Sequence, residues 1–84
     1  MKYRQKKQII EVYLETSFKE CVLYCCDEGF ISPEKEKQTI QNYNSNEEYQ
    51  HNIIVNFFDD LNISEEEFQK TSLEFEGNYN FKNN

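Results

Sequence analysis

Apolar residues recur along this chain with a helical period. Ile10, Tyr13, Leu14, Phe18, Cys21, Val22 and Cys25 follow an i, i+3, i+4, i+7 rhythm, which predicts one long helix over residues 4–28. Glu11, Glu15, Lys19 and Glu20 fall mostly opposite, while Ile9, Val12, Leu23 and Tyr24 widen the stripe enough for neighbours on two sides. Gly29 suits the left-handed position that ends a helix, and Phe30 or Ile31 then folds back on the last turn. Ser32-Pro33-Glu34 opens a second helix, with a capping hydroxyl, a proline at the first helical position and an acid at the positive end of the dipole. Over residues 33–43 only Ile40 and Tyr43 are large and apolar, so this helix is expected to be short and mostly solvated.

Residues 42–46 read as a loop, and Ser45 with Glu48 as a capping box. A helix over 46–61 follows, with Tyr49, Ile53, Ile54, Phe57, Phe58 and Leu61 at helical spacing. Asn62-Ile63 breaks it, Ser64 with Glu67 repeats the box, and a last helix over 65–75 offers Phe68, Ser72 and Phe75 to the core before Gly77. The competing pattern is a hairpin over 73–82, since Leu73 and Phe75 alternate before Gly77-Asn78 and Tyr79 and Phe81 after it. The expectation is a small all-α domain of three or four helices spanning residues 1–77, with a long N-terminal helix and a flexible Asn-rich tail over 78–84. A 25-residue first helix is ~37 Å long. The helix over 46–61 is too short to cover its stripe alone, so either that helix and the tail together cover the remainder or a second copy does, and a homodimer, or a partner that docks there, is expected.

Composition sharpens this picture. The chain has 84 residues and 37% hydrophobic content, against ~45–50% in ordinary globular chains. It also has seven Phe and six Tyr, and rings of ~150–250 Å² each build a core with few aliphatics. There is no Ala, and Asn and Lys are abundant, the signature of an AT-rich genome. Cys21, Cys25 and Cys26 form an odd, tightly spaced set that makes a poor disulfide framework, which implies reduced thiols and a cytoplasmic setting. The basic start resembles the head of a secretion signal, but Glu11, Glu15, Lys19 and Glu20 interrupt any apolar run behind it.

Charge is divided unevenly. Residues 1–10 carry Lys2, Arg4, Lys6 and Lys7 and no acid. From Glu47 to Glu76 there are nine acids against Lys70, and the whole chain carries a net charge of -7. Such a field repels nucleic acid and anionic membrane and attracts basic protein surfaces.

Candidate chemistry is sparse. Cys21, Cys25, Cys26 and His51 lack the paired knuckle spacing of a zinc site, and cysteines in an apolar stripe pack as small hydrophobes. A thiol nucleophile is opposed by a helix C-terminus and by Asp27 and Glu28. Asp60, Asn62 and Ser64 imitate the start of a calcium loop, but Glu65 stands where Gly belongs and Thr71 where the closing Glu belongs. Nothing flanks the paired carboxylates to desolvate one of them for acid–base work. No enzyme activity and no metal or other cofactor is expected.

The acidic surface itself remains. Arg and Lys that pair with phosphates accept carboxylates in similar geometry. The first expectation is therefore a non-enzymatic inhibitor that binds a basic groove of a nucleic-acid-processing protein by mimicry. An anti-CRISPR or other anti-defence protein of a phage or mobile element is its concrete form. The contact face would be Glu47, Glu48, Asp59, Asp60, Glu65, Glu66 and Glu67, with Tyr49 as an aromatic anchor. The alternative is an adaptor subunit that joins a larger assembly through the apolar stripe of its first helix. Salt separates the two, because charge contacts weaken steeply between ~50 and 200 mM while apolar docking does not.

Overall fold

A computed structural model describes the backbone of residues 1–83 and the side chains of residues 1–77. Among them the chain forms five α-helices and no strand: α1 (Tyr3–Glu15), α2 (Phe18–Asp27), α3 (Pro33–Ser45), α4 (Gln50–Asp60) and α5 (Glu65–Asn83), with a 3₁₀ turn at Glu47–Tyr49. The all-α expectation holds, with one more helix than foreseen. No helix among the described residues is long and apolar enough to cross a membrane.

The extra helix comes from the first one breaking in two. Both the amide and the hydroxyl of Thr16 donate to the Val12 carbonyl, at 3.0 and 2.6 Å, closing α1. Ser17 is then extended (φ -156, ψ 169), and its hydroxyl accepts from the Glu20 amide at 3.2 Å, opening α2. The cap satisfies amides that the break would otherwise leave open, so the chain can turn there at little cost. α1 and α2 then fold against each other. The long stripe is thereby used up inside the chain: Ile9, Ile10, Cys21, Val22 and Cys25 are all 0% exposed. These five positions are covered by the chain itself and need no second copy.

Most other punctuation falls where the sequence places it. Gly29 takes φ +80, the Phe30 amide donates to the Cys25 carbonyl at 2.8 Å, and Phe30 and Ile31 pack back on the core. The Ser32 hydroxyl accepts from the Lys35 amide at 3.1 Å, and α3 buries little beyond Thr39. Ser64 and Glu67 form the reciprocal box: the Glu67 amide donates to the Ser64 hydroxyl at 3.1 Å and the Ser64 amide to Glu67 Oε1 at 3.0 Å. Asn62 takes the left-handed conformation at φ 61.

Three expectations need correction. The loop over 42–46 is largely helical, because α3 runs on to Ser45. Ser45 therefore lies within α3 and caps nothing, and the Asn46 amide side chain instead donates to the Asn42 carbonyl at 2.9 Å. Finally, α5 continues through Gly77 to Asn83, so the hairpin over 73–82 does not form. An isolated hairpin has no sheet to join here, whereas each residue added to an existing helix gains a backbone hydrogen bond without a new nucleation step. The side chains of the expected tail, 78–84, lie outside the described residues.

An aromatic network joins all five helices. Tyr13 of α1 sits 5.4 Å from Phe58 of α4, 5.8 Å from Phe68 of α5 and 6.4 Å from Phe18 of α2, between ring centroids. Phe18 reaches Tyr43 of α3 at 4.9 Å and Phe57 at 5.3 Å. Several of these contacts are edge-on, the arrangement that ring quadrupoles favour. α1 also packs on α5 through polar contacts. Lys6 pairs with Glu67 and Lys7 with Glu74, each at 3.3 Å. The Lys70 ammonium lies 5.3 Å from the Tyr3 ring, and the Tyr3 hydroxyl lies 3.5 Å from that of buried Thr71.

Candidate functional site

The eight residues expected to form the contact face divide into two groups. Glu47, Glu48 and Tyr49 lie on the 3₁₀ turn ahead of α4, all exposed, with Tyr49 57% exposed. Asp59, Asp60, Glu65, Glu66 and Glu67 flank the connection between α4 and α5. The 11 residues of α4 separate the groups by ~16 Å.

The members of the second group are not equivalent. Asp60 pairs with Lys35 at 2.9 Å across exposed surface. Glu67 is held by Ser64 and by Lys6. Its carboxyl is pulled below the usual carboxylate range, first by the Ser64 backbone amide and then by the Ser64 hydroxyl and the Lys6 ammonium. It serves as a helix cap and a strap to α1 and is poorly placed for a partner. Asp59, Glu65 and Glu66 are exposed and outside every ion pair among the described residues.

Asp59 and Glu65 both line a groove of about 620 Å³ between α4 and α5. α4 contributes His51, Ile54, Val55, Phe58 and Asp59, an i, i+3, i+4, i+7, i+8 series along one face. α5 and its connection contribute Ile63, Ser64, Glu65, Phe68 and Gln69, and Tyr13 of α1 supplies part of the floor. The floor is thus the outer side of the aromatic network. The two helices meet at Phe58 and Phe68, 5.4 Å apart, but do not pack along their lengths, because α5 lies against α1 instead. Val55 is 50% exposed on this wall. The sequence reading placed Ile54, Phe58 and Phe68 on helix faces turned to the core and left out Val55. The available signal was Val55 itself, an apolar residue beside the core stripe that widens α4's apolar face.

The cysteines sit elsewhere. Cys21 and Cys25 are buried between α1 and α2, and the Cys21 thiol donates to the Ile9 carbonyl at 3.4 Å. The adjacent Cys25 thiol, then burial, push the Cys21 thiol far above its ordinary range, so it stays protonated. A contact with Glu36 raises that of Cys26. His51 faces the groove between α4 and α5, away from these thiols, and among the described residues no three His, Cys, Asp or Glu side chains converge as a metal cage. The imitation calcium loop resolves into the end of α4, a left-handed Asn62 and the Ser64 cap.

No protein-family model matches this chain, and no curated protein or solved structure shows significant similarity to it.

Proposed function

We propose that this protein is a non-enzymatic inhibitor that presents carboxylates to the phosphate-binding groove of a nucleic-acid-processing protein. An anti-CRISPR or other anti-defence protein carried by a phage is its concrete form. One observation carries the reading: Glu47, Glu48, Asp59, Glu65 and Glu66 are exposed and outside the ion pairs that engage Asp60, Glu67 and Glu74. Three of the chain's nine Lys and Arg side chains are spent in those internal pairs, two of them from the basic N-terminus. Lys6 and Lys7 of α1 are taken up by Glu67 and Glu74 of α5, and Lys35 of α3 by Asp60 of α4, while Glu47, Glu48, Asp59, Glu65 and Glu66 lie outside these pairs at the two ends of α4. Ile9, Ile10, Phe18, Cys21, Val22 and Cys25 of the apolar stripe on which an adaptor reading relies are buried within the chain.

The test is a salt-dependent complex with a nucleic-acid enzyme from the native host that the enzyme's own nucleic acid displaces. A Glu47→Lys, Glu48→Lys, Glu66→Lys variant should lose that complex with its far-UV circular dichroism unchanged. A complex indifferent to ~50–200 mM salt, or retained by the variant, overturns the reading.

A further inference from the structure

The groove between α4 and α5 adds an apolar element to an otherwise ionic surface. Its floor is Tyr13, Phe58 and Phe68, its walls include Ile54 and Val55, and it is also lined by Asp59 and Glu65, whose carboxylates lie outside every ion pair among the described residues, with Gln69 donating to Glu65 at 3.5 Å. Resting on the reading above, we propose that this groove seats one amphipathic basic helix of the partner protein. Apolar side chains of that helix at i, i+4 and i+7 enter the groove, and flanking Lys or Arg pair with Asp59 and Glu65.

Charge complementarity selects this occupant. A second copy of the chain would bring another net charge of -7 to a groove already lined by two carboxylates. A cationic helix gains there what a copy would lose. The shape selects a helix over an extended peptide. Both walls are α-helices whose backbone groups are bonded within the helix, so no sheet edge is available to add a strand. From His51 to Asp59 the wall rises ~12 Å, which matches two turns of a docked helix and three apolar anchors. The aromatic floor suits such anchors, since well-packed rings shielded from water dominate interface energetics.

The experiment selects, on the full chain, from a displayed library of 16-residue helix-forming peptides with randomised apolar and flanking positions, and measures the winners by fluorescence anisotropy. Enriched peptides should carry apolar residues at i, i+4, i+7 with Lys or Arg beside them. Val55→Lys should weaken them by about tenfold or more. Asp59→Asn with Glu65→Gln should weaken them less and flatten their salt dependence. Glu34→Gln, on exposed α3, should leave them unchanged. Val55→Ser repeats the comparison should the lysine variant lose helicity. No enrichment over a scrambled library, or enriched peptides that bind Val55→Lys and Val55→Ser as tightly as the parent, overturns the proposal. Loss of the host complex on reversing Glu47 and Glu48, with the peptide result negative, leaves the inhibitor reading standing and removes the groove. A positive peptide result with a host complex indifferent to those reversals does the opposite.

Discussion

The corner between α1 and α2 and the corner between α4 and α5 are built from the same local chemistry and end differently. Each second helix opens on a Ser followed three residues later by Glu, Ser17 with Glu20 and Ser64 with Glu67, and each Ser hydroxyl accepts from the amide of its Glu. The first corner closes into a sealed pair. The second leaves a groove. Side-chain volume separates them. At the first corner Ile9, Ile10, Cys21, Val22 and Cys25 let two backbones approach until a thiol reaches a carbonyl at 3.4 Å. At the second, Phe58, Ile63 and Phe68 crowd the bend, Tyr13 of α1 enters beneath them, and α5 is drawn to α1 by two ion pairs. A cap decides where a helix begins. It does not decide what the helix lies against.

The most severe way to break the comparison is to open the sealed corner. Phe18 is 3% exposed and touches Tyr13, Tyr43 and Phe57. Phe18→Ala should cost about 3–5 kcal/mol, a large part of the ~5–15 kcal/mol typical of a domain. Urea unfolding followed by circular dichroism would show it, and a loss below about 1 kcal/mol would mean the network is not the core. Ser17→Ala and Ser64→Ala should each cost ~1 kcal/mol by the same measurement, since both remove one cap. A much larger effect at Ser64 would mean the box also holds the groove open through Glu67. Val55→Lys should change stability by less than about 0.5 kcal/mol, because the side chain is half exposed and fills no cavity. A cost above about 2 kcal/mol would mean the groove is closed in solution.

The smallest effect concerns pH. The carboxyl of Glu67 is depressed in the folded chain, so its contribution is present above the ordinary carboxylate range and is lost as pH falls through the depressed folded value. Glu67→Gln keeps a side chain able to accept the Ser64 amide but removes the charge that Lys6 pairs with. The parent should be modestly the more stable near pH 7, and the difference should disappear in acid. A difference that is independent of pH would place the effect in packing instead.

The helical architecture was readable because its signals are local. Ser32, Ser64 and Gly29 act through hydrogen bonds that span a few residues of chain, and each behaves as its spacing implies. The break at Thr16-Ser17 is equally local, but the apolar period runs across it without interruption and by itself predicts one continuous helix. Ser45 failed in the other direction: its spacing to Glu48 is right, yet α3 runs through it. Nothing near Lys6 and Lys7 in the sequence marks them for pairing, and only α5 brings Glu67 and Glu74 beside them.

By itself, the sequence determined that this chain is all-helical, aromatic at its core, acidic from Glu47 to Glu76, and punctuated at Gly29, Ser32 and Ser64. Those properties depend on period, composition and contacts a few residues apart. Only the tertiary structure decided which carboxylates stay free, that the first apolar stripe is consumed internally, and that Tyr13, Phe58 and Phe68 floor an open groove. Those outcomes depend on ring volumes and charges brought together from distant parts of the chain, and no local pattern encodes which pairings win.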